Sequence, residues 1–99
     1  MKVTITVRAR LKGDSKSAKQ LHDQVTGATK DMARQAGDLT HAVYLNPQDD
    51  RDFLGIDTWD SAEHAQAFAG SPQIQDFFSK LFEGQPEIKM FVDSDWNQW

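Results

Sequence analysis

Chemistry in this sequence centres on His41, which alternates with Leu39, Val43 and Leu45 along one face of an apolar run. A neutral imidazole in such a setting could take the proton of a phenol or quinol, because burial holds its pKa near or below the working pH. The same residue also reads as a hydrogen-bonded histidine within the core or at its edge. Trp59 could stack on a flat substrate and help exclude water, or fill an interface with its indole N–H near Asp57. Phe68, Phe77, Phe78 and Phe82 recur at helical spacing, as the wall of an aromatic pocket or as plain core would. His41 is therefore the candidate catalytic residue. Trp59, Phe68, Phe78 and Tyr44 are the candidate substrate-binding residues.

The other polar residues suggest less. His22 and His64 lie beside the apolar stripes of their helices and are expected to face solvent. Three histidines that do not cluster, with no cysteine, argue against a structural metal site. Arg8, Arg10, Lys89, Asp57 and Asp93 project from strand faces, where opposite charges can pair across a sheet or a dimer seam. An arginine among them could instead grip an anionic substrate. The turn Asp49-Asp50-Arg51-Asp52 lacks the ligand spacing of a calcium loop.

These residues must be positioned by a chain of 99 residues, expected to form one domain over 1–99. Apolar residues make up 38% and charged residues 26%, as in a globular protein. The net charge of −4 divides into +5 over residues 1–36 and −9 over residues 37–99. The basic residues are spread along a strand and a helix rather than interleaved with aromatics, so nucleic-acid binding is not expected. No apolar run reaches membrane-span or signal-peptide length, so no membrane partner is expected and cytoplasmic residence is.

Val3 to Leu11 alternates apolar and polar residues as a strand does. From Ser15 to Ala36 the period lengthens, with Ala18, Leu21, Val25, Ala28 and Met32 as a helical stripe closed by Gly37. Leu39–Asn46 and Phe53–Trp59 read as two strands joined by a breaker-rich turn. Asp60, with Glu63 three residues on, has capping-box spacing for a helix over 61–70. Ser71 and Pro72 suit the cap and first position of a helix over 72–83. Gly84 ends it, and a last strand follows over 87–93. The order βαββαβ is ferredoxin-like α+β with an antiparallel sheet. Phe53, Trp59, Tyr44 and Phe91 are expected on the sheet face away from the helices, where a second subunit would cover them. Trp96 and Trp99 are expected to dock on the body or on that partner.

Pro47, Phe53, Trp59-Asp60-Ser61, Glu63, Phe68, Ser71-Pro72 and Phe78 together resemble the antibiotic-biosynthesis-monooxygenase-like family of dimeric α+β barrels. The resemblance covers nearly the whole chain, and the Trp-Asp-Ser junction is its most specific part. It implies a homodimer packed sheet to sheet, with a pocket between sheet and helices in each protomer. Members include cofactor-independent oxygenases of aromatic polyketides and quinols, haem-degrading oxygenases and small proteins without a known activity. Where many members carry a histidine this chain has Phe68, and the iron ligand of the haem-degrading branch aligns with Phe78. Phenylalanine cannot ligate iron, so haem chemistry is disfavoured and no cofactor is expected. The resemblance implies a monooxygenase acting on a small aromatic or quinol-like molecule without a cofactor. The alternative is a non-catalytic dimer that binds an apolar metabolite or acts in stress response.

Overall fold

The computed structural model describes residues 1–99. Its elements run β1 (Val3–Leu11), α1 (Ser15–Ala36), β2 (Asp38–Asn46), β3 (Asp49–Trp59), α2 (Ala62–Ala69), α3 (Pro72–Leu81) and β4 (Phe82–Phe91). The four strands form one antiparallel sheet in the order β2-β3-β1-β4, which is the ferredoxin-like α+β arrangement. All three helices lie on one face of it.

Strand register decides which side chains meet those helices. Val7 lies opposite Gly55 on β3 and Ile88 on β4, and Val43 lies opposite Gly55 from the other side. Asp57 lies opposite both Ile5 and His41, and Phe53 opposite both Ala9 and Leu45. Phe53 and Trp59 thus share the helix-facing side and are buried, at 6% and 4% exposure. This corrects the expectation that they sit on the uncovered face. Both faces of β3 carry apolar residues, so alternation along it does not say which face is inner. The uncovered face instead carries Leu54, Ile56, Ala42, Tyr44 and Phe91, with Thr4, Thr6 and Thr58 between them.

The helix ends follow from local chemistry. Asp14 caps α1 by accepting from the Ser17 amide at 2.8 Å, and Gly37 closes it in the left-handed conformation at φ 117°. A side chain at position 37 would also collide with the Asp60 carboxylate. Ser71 caps α3 and Pro72 occupies its first turn, as the sequence implies. The cap of α2 is Ser61, which accepts from the His64 amide, rather than Asp60. Asp60 instead accepts a hydrogen bond from the His64 ring at 2.8 Å. Helix α3 stops at Leu81, and β4 starts at once with Phe82, earlier than the expected 87. A bulge against Arg8–Arg10 absorbs the segment holding Gly84 (φ 74°) and Pro86, which would otherwise interrupt pairing.

Two buried clusters anchor the protomer. Leu11, Phe53, Leu81 and Phe82 form one, and Val3, Trp59 and Ala65 the other. Trp96 is 81% exposed and Trp99 is fully exposed, so neither docks on the body of the chain.

Candidate functional site

Between the two clusters, the sheet and the helices enclose a cavity of about 500 Å³. It exists because short side chains face one another across it. Gly55 floors it on β3, while Thr26, Thr29 and Ala33 of α1 look down on that floor. The inner face of α1 therefore runs through Ala18, His22, Val25, Thr29, Ala33 and Ala36, and Ala28 and Met32 are exposed instead. Trp59, Phe68, Phe77 and Phe78 supply aromatic wall, with the Trp59 and Phe68 rings 5.2 Å apart. Tyr44 does not join them; it stands on the opposite sheet face at 55% exposure.

The polar wall of the cavity is a chain of titratable groups. His41 Nδ1 lies 2.8 Å from Asp57 Oδ1, and His41 Nε2 lies 3.0 Å from His22 Nε2. His22 Nδ1 in turn lies 3.1 Å from Asp23 Oδ1, and the two imidazoles stack with centroids 5.1 Å apart. Proton placement follows from the partners. Each outer ring nitrogen faces a carboxylate and is placed to donate to it, while the two inner nitrogens face each other. Thr26 Oγ1 also lies 3.3 Å from His22 Nε2 and can donate to it. Asp57, chiefly through its hydrogen bond, raises the pKa of His41 above the ordinary histidine value against the opposing effect of burial. His41 thus faces the cavity as expected, but both of its nitrogens are engaged. His22, expected in solvent, is its partner.

A second carboxyl completes the wall. Between β2 and β3, Asp38 pairs with Trp59 and Thr40 with the next residue, Thr58, so Leu39 is an extra residue on β2. This bulge reverses the alternation upstream of it. Strict alternation back from His41 would turn Asp38 outward; the bulge puts it on the face of Trp59, inside the cavity wall. Asp38 is only 7% exposed, and its Oδ1 is buried without a hydrogen-bond partner. Burial first, and the neighbouring Asp57 carboxylate second, push its pKa up to about 8; Arg34 pulls weakly the other way. Asp38 therefore holds a proton at neutral pH.

Lys30 and Arg34 of α1 also border the cavity, so it can accept an anionic substituent there. Arg8 and Arg10 are not available for that role. Arg8 grips Asp52 with two bonds of 2.9 and 2.8 Å, and Arg10 bonds Asp49 at 2.9 Å. Arg8 and Asn46 hold the Asp52 carboxyl down to about 2. No group of three or more His, Cys, Asp or Glu side chains converges as a metal centre requires. A second cavity of about 510 Å³ lies on the far side of the histidine pair, so His22 and His41 form a wall common to both.

The Antibiotic biosynthesis monooxygenase family model matches residues 4–80. The chain belongs to that family. No curated protein sequence matches it. Among solved structures, this family member is similar to SnoaB, a cofactor-independent oxygenase from Streptomyces nogalater, at TM-score 0.75 and 18% identity over 95% of this chain and 94% of that one. It is also similar to Rv0793 from Mycobacterium tuberculosis, at TM-score 0.67 and 13% identity over 99% and 100% of the two chains. Protein SO0527 from Shewanella oneidensis follows at TM-score 0.68 and 13% identity over 91% and 88%. At these identities the likeness is one of fold. No helix of this family member is long and apolar enough to cross a membrane.

Proposed function

We propose that this family member oxidises a small quinol-like aromatic with dioxygen and no cofactor, inside the sheet–helix cavity. The supporting observation is an apolar, aromatic-walled cavity of about 500 Å³ with a linked set of titratable groups along one side. The volume is in the range of small-molecule sites, and one polar wall in an apolar cavity is what orients a flat ligand. In this chemistry the substrate anion supplies the electrons. A quinol and dioxygen give a hydroxyquinone and water, so atoms and electrons balance without a reductant. The protein lowers the cost of the anion, holds the ring between Trp59, Phe68 and Phe78, and keeps water out. His41, whose pKa Asp57 raises, supplies positive charge near the developing anion when it is protonated.

The uncovered sheet face, with Tyr44 and Phe91 exposed and Leu54 and Ile56 between them, is the surface through which we pair two protomers. Trp96 and Trp99 then have a partner surface to dock on.

The test is oxygen uptake with a panel of quinols, comparing the wild type with Thr29→Trp, which fills the cavity from α1 and leaves the polar wall unchanged. Uptake by the wild type that the filled variant loses supports the reading. Tight binding of the quinols by calorimetry with no uptake above autoxidation makes the protein a binding module instead.

A further inference from the structure

Asp38 is set apart within the cavity wall. The bulge at Leu39 turns it inward, it is more than nine-tenths buried, and one of its oxygens has no partner. Asp57 from β3 and Arg34 from α1 act on it, and His41 of β2 and Lys30 of α1 line the same cavity. A buried, unpaired carboxyl oxygen is costly to keep, and a ligand that donates to it removes that cost. An ether or a hydrocarbon cannot donate; a phenolic or quinolic hydroxyl can.

We propose that the Asp38 carboxyl turns its unpaired oxygen into the cavity to receive the substrate hydroxyl, so that Asp38, and not His41, is the residue that takes the substrate proton. This rests on the oxidation proposed above and names the group that touches the substrate. The step balances. The hydroxyl O–H bond breaks and its proton bonds the Asp38 carboxyl, while the proton already on Asp38 passes to the neighbouring Asp57 carboxylate. The carboxyl pair gains one proton and becomes neutral, and the phenolate keeps the electron pair and the negative charge. The total charge of the cavity does not change; it moves by a few ångström beside the histidine pair. His41 is then a positioning residue. Its Nδ1, 2.8 Å from Asp57 Oδ1, aims the carboxylate that receives the Asp38 proton.

The experiment compares 2-naphthol with its methyl ether by calorimetry, on the wild type, Asp38→Asn and Asp38→Leu. The wild type should bind the naphthol about ten-fold more tightly than the ether, the value of one buried hydrogen bond. Asp38→Asn should keep that preference, because its amide donates to Asp57 and still offers an oxygen to the hydroxyl; its quinol-dependent oxygen uptake should vanish, because an amide cannot pass a proton on. Asp38→Leu should bind both ligands alike. The wild type alone also decides: at pH 6 its infrared spectrum should contain a protonated-carboxyl band that shifts with naphthol and not with the ether. Equal binding of the two ligands by the wild type, a preference that survives in Asp38→Leu, or full oxygen uptake in Asp38→Asn overturns the assignment. A hydroxyl preference in a wild type that consumes no oxygen leaves Asp38 as the ligand contact and removes the oxidation alone.

Discussion

Stability should fall as pH rises from about 5 to 8.5, and Asp38 should be the main cause. The carboxyl titrates at 3.8 in the unfolded chain and at about 8 when folded. Between those values the folded protein holds a proton that the unfolded chain has released. Stability therefore decreases with pH across that window, by 1.36 kcal/mol for each unit of difference. About three of those units lie between pH 5 and 8, which corresponds to a loss on the order of 4 kcal/mol over the assayed range. His41 acts in the same direction: its raised pKa contributes stability that is complete below about 6.5 and lost as pH climbs through the folded value. The assay is urea unfolding at half-unit pH steps, at fixed ionic strength and protein concentration. Asp38→Asn keeps the shape and has no proton to lose, so it should flatten most of the slope and exceed the wild type in stability at pH 8.5. A wild type whose stability is level or rises from pH 5 to 8.5, or an Asp38→Asn variant with the wild-type slope, refutes the placement of Asp38 as a buried protonated acid.

Three further outcomes follow from the packing. Trp59→Ala should lower unfolding free energy by about 3–5 kcal/mol, since it empties a buried aromatic position that packs on Phe68 and Ala65, as read by denaturant titration. Ser61→Ala should cost about 1 kcal/mol and lower the melting temperature by about 4–8 °C, whereas Asp60→Ala should not show a cap-sized loss, because Ser61 holds the cap. Ile56→Asp places a charge in the middle of the uncovered sheet face; sedimentation should show a dimer for the wild type and a monomer for the variant.

Much of the fold was legible because each element carries its own signal. Gly37, Ser71 and Pro72 mark helix ends through local backbone requirements that depend on nearest neighbours alone. The alternation in Val3–Leu11 survives because β1 is central and its inner face must be apolar. The cavity wall was harder to read. His22 lies on an inner helix face completed by Thr26, Thr29 and Ala33, and such short or polar residues break the apolar stripe that periodicity detects. Asp38 is turned inward by a bulge, a two-against-one pairing that depends on the register of β2 against β3. The one local hint was an acidic residue directly after the helix-closing Gly37, where a strand was about to begin. Tyr44 failed as a pocket residue for the related reason that an aromatic on a strand fits either face until its cross-strand neighbour, Leu54, is known.

Isotope labelling tests the central claim most directly. Protein dialysed against chelator is mixed with a naphthoquinol under ¹⁸O-labelled dioxygen, and the product is read by mass spectrometry. Oxidation in the cavity predicts a hydroxyquinone carrying one labelled oxygen, formed faster than without protein and lost in the cavity-filled Thr29→Trp variant. A product without label, or one formed at the same rate with no protein present, contradicts it.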